Sequence, residues 1–215
     1  MTVIPKGRDF MQQEWPYDKS KTVCFSGHRP EKLPDNGDLT SLKMKGILSM
    51  LYYEIQQSIE QGFKTFIIGG AKGIDLWAAE FIMQFKHRGS DIDLVIALPY
   101  KDFGVNYTGM ELFLRGNAVK TSSLIVNVSE EPSKACYRKR NQFMIDHSSR
   151  LIAVISDLKS GTGQTVNYAE KNGIETKIIN ARKFSAYVDA SVDSGVKIVH
   201  EETDIKNLIK VYYST

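Results

Sequence analysis

Cysteine is scarce in this chain. Two residues, Cys24 and Cys136, are too few among 215 for a disulfide scaffold, and no Cys-x-x-Cys pair or His/Cys cluster offers a structural zinc site. A reducing, cytoplasmic setting is the expectation. Long apolar runs are missing too: the longest aliphatic stretches, such as Leu151-Ile-Ala-Val-Ile155, fall far short of a membrane span, and the opening Met1-Thr-Val-Ile-Pro-Lys-Gly-Arg-Asp-Phe10 has no apolar signal core. Secretion and membrane insertion lose support. Nor does one sign of charge dominate. With 28 basic and 25 acidic residues the net charge is +3, whereas a dedicated nucleic-acid binder usually carries a strong basic surplus or stripe. Nucleic acid is neither demanded nor excluded. The acidic residues are scattered, no carboxylate–histidine spacing marks a metal site, and neither a metal nor a required cofactor is expected.

What is present is a chain with 42% hydrophobic residues and a length that suits one compact domain. Short β-branched or aliphatic runs recur at Thr22–Phe25, Thr65–Ile68, Asp93–Ala97, Leu124–Val128, Leu151–Ile155 and Thr176–Ile179. Their spacing of about 25 to 45 residues leaves room for the crossover helix that a parallel connection needs. The pattern predicts an α/β fold, a Rossmann-like doubly wound, mostly parallel sheet with helices on both faces. The first crossover places Leu42, Ile47, Leu48, Leu51, Ile55 and Ile59 near one helical face and ends at Gly62. Further helices are predicted over 75–86, 137–147 and 165–171. The helix over 137–147 begins with Arg138, Lys139 and Arg140, which the helix dipole disfavours unless an anion lies nearby.

The alternation covers residues 22–180. A polar leader, 1–21, and a C-terminal extension, 181–215, with Lys197-Ile-Val-His200 and an amphipathic stretch over 205–213, lie outside it. Each is read as packing on the core, the alternative being a contact between copies.

In an open parallel sheet, ligands bind beyond the carboxyl ends of the strands. The loops there are unusual. They read Ser26-Gly27-His28-Arg29-Pro30, Gly69-Gly70-Ala71-Lys72-Gly73-Ile74-Asp75, Pro99-Tyr100, and Ser160-Gly161-Thr162-Gly163-Gln164-Thr165. Glycine lets a backbone approach a ligand, and a following helix aims free N–H groups at it, which suits a phosphate. Neither Walker A spacing nor Gly-x-Gly-x-x-Gly is present, so ATP hydrolysis and ordinary dinucleotide dehydrogenation lose support. Tight strand-to-helix turns alone would also account for the glycines. His28 and Arg29 could meet an anion or stand on the surface, and Asp75 could cap its own helix or accept from a ribose hydroxyl.

Together, Phe25-Ser-Gly-His-Arg-Pro30, Gly69-Gly-Ala-Lys-Gly-Ile-Asp75 with Trp77-Ala-Ala-Glu80, Pro99-Tyr100, Lys139-Arg-Asn-x-x-Met144-x-Asp146-His147 and Gly161-Thr-Gly-x-Thr165-Val-x-Tyr-Ala169 resemble the YpsA/YoqJ family of the SLOG superfamily. That superfamily of Rossmann-like proteins takes its name from the Smf/DprA and LOG groups. The resemblance spans about residues 22–180. It implies a homodimer that binds a nucleotide-derived ligand like ADP-ribose or NAD, and the two phosphate-suited glycine loops lead to the expectation of a sensor, carrier or sequestering protein for such a ligand or a cyclic nucleotide. The ligand positions the resemblance carries over are Gly27, His28, Arg29, Gly69, Gly70, Gly73, Asp75, Arg140, Gly161, Thr162, Gly163 and Thr165; Ala71 and Lys72 stand beside them in the second loop, and Pro99 and Tyr100 form a further loop at the same sheet end.

The LOG branch hydrolyses the N-glycosidic bond of nucleoside 5′-monophosphates, using a Glu after Pro-Gly-Gly-x-Gly-Thr-x-x together with an upstream Arg. Arg140 fits the Arg, but aligning Thr165 on the motif's Thr puts Tyr168 where the Glu belongs, with Asn167 before it and Glu170 two residues late. Glycosidic cleavage normally relies on a carboxylate, so a binding role leads and an N-glycosidase is the alternative, with His28, Asp75 or Asp146 as acid or base. The DprA branch, which binds single-stranded DNA, is similar around Gly73-Ile-Asp75. Tyr100, Phe103, Tyr107 and Lys101 could serve such binding, though the mild net charge weakens the case.

Overall fold

The computed structural model of the chain describes residues 15–193. Six strands, β1 (Thr22–Gly27), β2 (Thr65–Ile68), β3 (Asp93–Leu98), β4 (Leu124–Asn127), β5 (Arg150–Ile155) and β6 (Glu175–Asn180), form one parallel sheet in the order β4-β3-β2-β1-β5-β6. The helices are α1 (Leu42–Glu60), α2 (Ile74–His87), α3 (Gly109–Thr121), α4 (Cys136–Asp146), α5 (Gly161–Lys171) and α6 (Ala181–Asp193). Strands β2 and β5, largely apolar runs, are buried along their whole length because helices cover both sides of the sheet. The fold is the Rossmann-like α/β architecture that the spacing predicts.

Alternate strand residues face opposite layers. Phe66 and Ile68 join Met44, Leu51, Trp77 and Phe184 on the side of α1, α2, α3 and α6. Ile67 joins Cys24, Met144, Ile145, Val166 and Ala169 on the side of α4 and α5. Register ties the centre together, with Cys24 opposite Ile67 on one flank and Leu151 on the other.

Local chemistry sets the helix ends. The Ser41 hydroxyl accepts from the Met44 amide at 3.1 Å and opens α1, while the Phe63 amide donates to the Ser58 carbonyl and closes it around Gly62. Ser160 caps α5 by accepting from the Gly163 amide at 3.1 Å, so α5 begins at Gly161, four residues before the predicted 165.

From the leader, Trp15 stacks on α4, its ring 4.6 Å from that of His147 and 5.6 Å from that of Phe143. From the extension, Ala181, Phe184 and Val188 of α6 are buried in the core. Residues 1–14, Lys197-Ile-Val-His200 and the stretch over 205–213 lie outside the described residues. Among the described residues no helix is long and apolar enough to cross a membrane.

The chain lays down β1 to β4 in one direction and then returns β5 to the other side of β1. That reversal puts the topological switch point between β1 and β5, beyond whose carboxyl ends open α/β sheets bind ligands.

Candidate functional site

Arg140 and Asp75 meet at the sheet's carboxyl edge. Arg140 leaves α4 on one face, Asp75 leaves α2 on the other, and Nη1 stands 3.5 Å from Oδ2. Both are buried, at 7% and 6% exposure. The guanidinium lies on Gly69, where any Cβ would overlap it. The Asp75 carboxylate also accepts from the Ala71 amide at 3.1 Å and from the Gly69 amide. Burial pushes the Asp75 carboxyl up from its ordinary range, opposed by Arg140 and by the two amides, and burial likewise lowers the pKa of Arg140. Asp75 thus ties the glycine loop to Arg140. Among the described residues, Nε and Nη1 of Arg140 have no hydrogen-bond partner.

His28 follows β1 at the switch point. It is 5% exposed, its Nδ1 lies 3.5 Å from the Thr162 hydroxyl of α5, and its Nε2 has no hydrogen-bond partner among the described residues. Burial, reinforced by Lys32 and opposed by Asp157, lowers its pKa and favours the neutral ring. The loops after β1 and β2 touch here: Gly73 has a φ of +81°, and a Cβ on it would stand 2.8 Å from the His28 carbonyl oxygen.

An aromatic wall closes the β3 side. Phe103 packs edge-on against Tyr100, Tyr107 and Tyr137 with centroids 5.6, 6.1 and 5.8 Å away. The Tyr100 hydroxyl is hydrogen-bonded to that of Tyr137, and Lys72 Nζ lies 5.0 Å from the Tyr107 ring centroid. The Tyr107 hydroxyl accepts from the Lys72 amide and contacts the Gly70 carbonyl at 3.4 Å, and burial pushes its pKa up to about 12. The positive charge of Arg29 acts on both Tyr100 and Tyr107.

The sequence profile of the YspA SLOG family matches residues 23–184. The chain belongs to that family. Its relatives include the SPbeta prophage-derived protein YoqJ of Bacillus subtilis, 31% identical over 144 residues, 61% of this chain and 83% of YoqJ. A UPF0398 protein of Enterococcus faecalis is 31% identical over 108 residues, 49% of this chain and 60% of its own. Among solved structures, DNA processing protein A of Helicobacter pylori, described for its single-stranded DNA binding mode, superposes with a TM-score of 0.51 at 18% identity, covering 88% of this chain and 80% of that one. The Streptococcus pneumoniae protein of that name gives 0.51 at 16% identity, over 88% and 62%. These two show the fold.

In this YspA SLOG chain the fold thus brings His28, Arg29, Gly69 to Gly73, Asp75, Arg140 and Thr162 to one edge, with Gly27 ending β1 beneath them. Three amides of the glycine loop, on Gly69, Ala71 and Lys72, are spent inside the protein. Pro99 is part of the β3–β4 connection, where its carbonyl accepts from the Ser129 amide. Gly163 is buried under the Leu158 carbonyl. Gly161 and Thr165 open instead onto a groove between α4 and α5, where Thr165 accepts from Asn141 Nδ2 at 2.8 Å. Asp146 stands apart, at the far end of α4, exposed and accepting from the Tyr168 hydroxyl at 3.0 Å.

Sequence reasoning passed over Tyr137 and Asn141 as site residues. Tyr137 carried a readable signal, an aromatic heading a basic helix start; Asn141 carried none.

Proposed function

We propose that this YspA SLOG protein binds a nucleotide-derived small molecule of the ADP-ribose, NAD or cyclic-nucleotide type at the switch point beyond β1 and β5, as a sensor, carrier or sequestering protein. The observation that carries the reading is Arg140: a guanidinium at 7% exposure whose Nε has no hydrogen-bond partner among the described residues and whose Nη1 has only the 3.5 Å ion pair with Asp75, at the same edge as a His28 Nε2 that also lacks a described partner. Buried donors left unmatched are costly, and a phosphate oxygen would satisfy them. Arg140 and Arg29 would supply the countercharge, the start of α5 would add amide donors and dipole, and the aromatic wall would pack against a base or ribose. Asp75, already engaged by two amides and by Arg140, would position Arg140 rather than touch the ligand.

Turnover has less support than binding. Tyr168, at the position of the hydrolase Glu, directs its hydroxyl to Asp146 at 3.0 Å. A second reading, single-stranded nucleic acid, is favoured by Lys72 over Tyr107 and by the exposed Tyr137 on the wall, a combination that stacks bases.

The test is to purify the full chain, denature it and weigh the released small molecules, then to record melting with ADP-ribose, NAD and a cyclic nucleotide. A nucleotide-like mass and a raised Tm in one of the three, lost in Arg140→Ala, is the expected result. No released nucleotide and no shift with any of the three would sink the proposal. A homodimer in the cytoplasm belongs to the same reading, and light scattering that returned a monomer would remove that part of it.

A further inference from the structure

The basic start of α4 serves two destinations. Arg140 turns inward to Asp75, whereas Arg138 turns outward into the groove between α4 and α5, a space of about 490 Å³. That volume lies within the range of small-molecule sites. Among the described residues three cations line the groove, Lys134, Arg138 and Lys171, and no carboxylate does; the nearby Asp146 accepts from the hydroxyl of the lining Tyr168. None of the three cations forms an ion pair with another described residue. The first turn of α4 holds no acid, and Ala135, its N-cap, offers no side-chain hydrogen bond. Cations at an uncapped helix start are unfavourable unless an anion is near. One-signed lining and an uncompensated helix start therefore agree.

The groove borders the carboxyl-edge site. Gly161 lines it and precedes Thr162, which meets His28, and Tyr137 lines it while its hydroxyl meets Tyr100 of the aromatic wall. From Gly161 to Lys171 the α5 side of the groove runs about 15 Å at 1.5 Å per residue. A mononucleotide at the carboxyl edge would leave that length empty.

Resting on the nucleotide reading above, we propose that the α4–α5 groove is a second subsite, which takes a phosphate-bearing second nucleotide joined to the one at the carboxyl edge. Arg138 and Lys171 meet its phosphate, and Tyr137 and Tyr168 flank its base or sugar. Selectivity for an extended over a single nucleotide follows from those four side chains.

The test is calorimetric titration of the full chain with AMP, with ADP-ribose and NAD as dinucleotide-length probes, and with a short single-stranded DNA. It is run on wild type, on an Arg138→Glu/Lys171→Glu variant and on Arg140→Ala. Both groove substitutions are at exposed positions, and unchanged AMP binding reports an intact fold. The groove variant is expected to lose at least about tenfold in affinity for the extended probes while AMP holds within about twofold, since lost charge-assisted hydrogen bonds are confined to the distal phosphate. Arg140→Ala should weaken every probe. If the DNA strand shows the same loss and binds more tightly than the dinucleotides, the second phosphate belongs to a nucleic-acid chain; the reverse order assigns it to a diffusible dinucleotide. Extended probes that bind the groove variant as they bind wild type overturn the subsite and leave the nucleotide reading intact. Failure of every probe on wild type removes both.

Discussion

The Arg140 guanidinium and the Asp75 carboxylate come from helices on opposite faces of the sheet and meet at 3.5 Å beyond its carboxyl edge. Such a pair is costly to break, because removing one partner strands the other's charge away from water. Asp75→Ala is expected to lower stability by about 3–5 kcal/mol, the range for an orphaned buried charge. Replacing both, as Asp75→Leu with Arg140→Met, should cost much less than the sum of the single changes. Urea denaturation of the four proteins in a double-mutant cycle checks it, and additive losses would mean that the two side chains do not interact.

Gly69 makes room for that guanidinium. Gly69→Ala places a methyl group on Arg140 and should destabilise by roughly 1–3 kcal/mol, the usual cost of overpacking. In an Arg140→Ala background the guanidinium overlap is gone and only Asp75 Oδ2, 2.8 Å from the Cβ position, still crowds it, so the loss should shrink. Urea midpoints for the pair of comparisons decide it; equal losses in both backgrounds would show that the guanidinium is not the obstacle.

His28 gives the protein a pH dependence with a defined sign. Its folded pKa lies below the ordinary 6.5, so the unfolded chain takes up the proton more readily. Protonation then favours unfolding: stability is fully present above 6.5 and declines as the pH falls toward the lowered folded value. Melting temperatures between pH 8 and pH 5 should fall toward acid, and His28→Gln should flatten that slope. Parallel profiles for the two proteins would assign the acid sensitivity elsewhere.

How much of this was legible without coordinates depends on whether the signal is local. The run Thr65-Phe-Ile-Ile68 is a strand with the predicted bounds because four consecutive apolar or β-branched residues suffice to mark it. β1 and β3 run further than predicted, to Gly27 and Leu98, because Gly27 aligns with Val154 and Leu98 with Asn127, pairings between distant segments. The helix α3 was unread for a different reason: its exposed Met110, Leu112 and Phe113 obscure the stripe that buried Leu114 and Ala118 would otherwise show. At the site, glycine-rich loops announced a carboxyl-edge cradle. The engagement of their amides by Asp75 and Tyr107, and the groove that holds Arg138, arise only when α2, α4 and α5 are packed together.

Gly46, in the middle of α1, provides the sharpest conflict between propensity and packing. Exchanging glycine for alanine inside a helix ordinarily gains about 1 kcal/mol. Here a Cβ at position 46 would fall within the ring of Phe184, the α6 side chain that anchors the C-terminal helix against α1. Overpacking of that kind costs roughly 1–3 kcal/mol, so the clash should win and Gly46→Ala should lower the Tm. A Phe184→Leu partner, which removes the ring, should recover part of the loss and let the helix gain reappear. Protease digestion should cut Gly46→Ala sooner within residues 181–193 than wild type, as expected for a helix prised from its seat. A Gly46→Ala protein that melts higher than wild type would show that α6 yields at no cost and contributes little to the core.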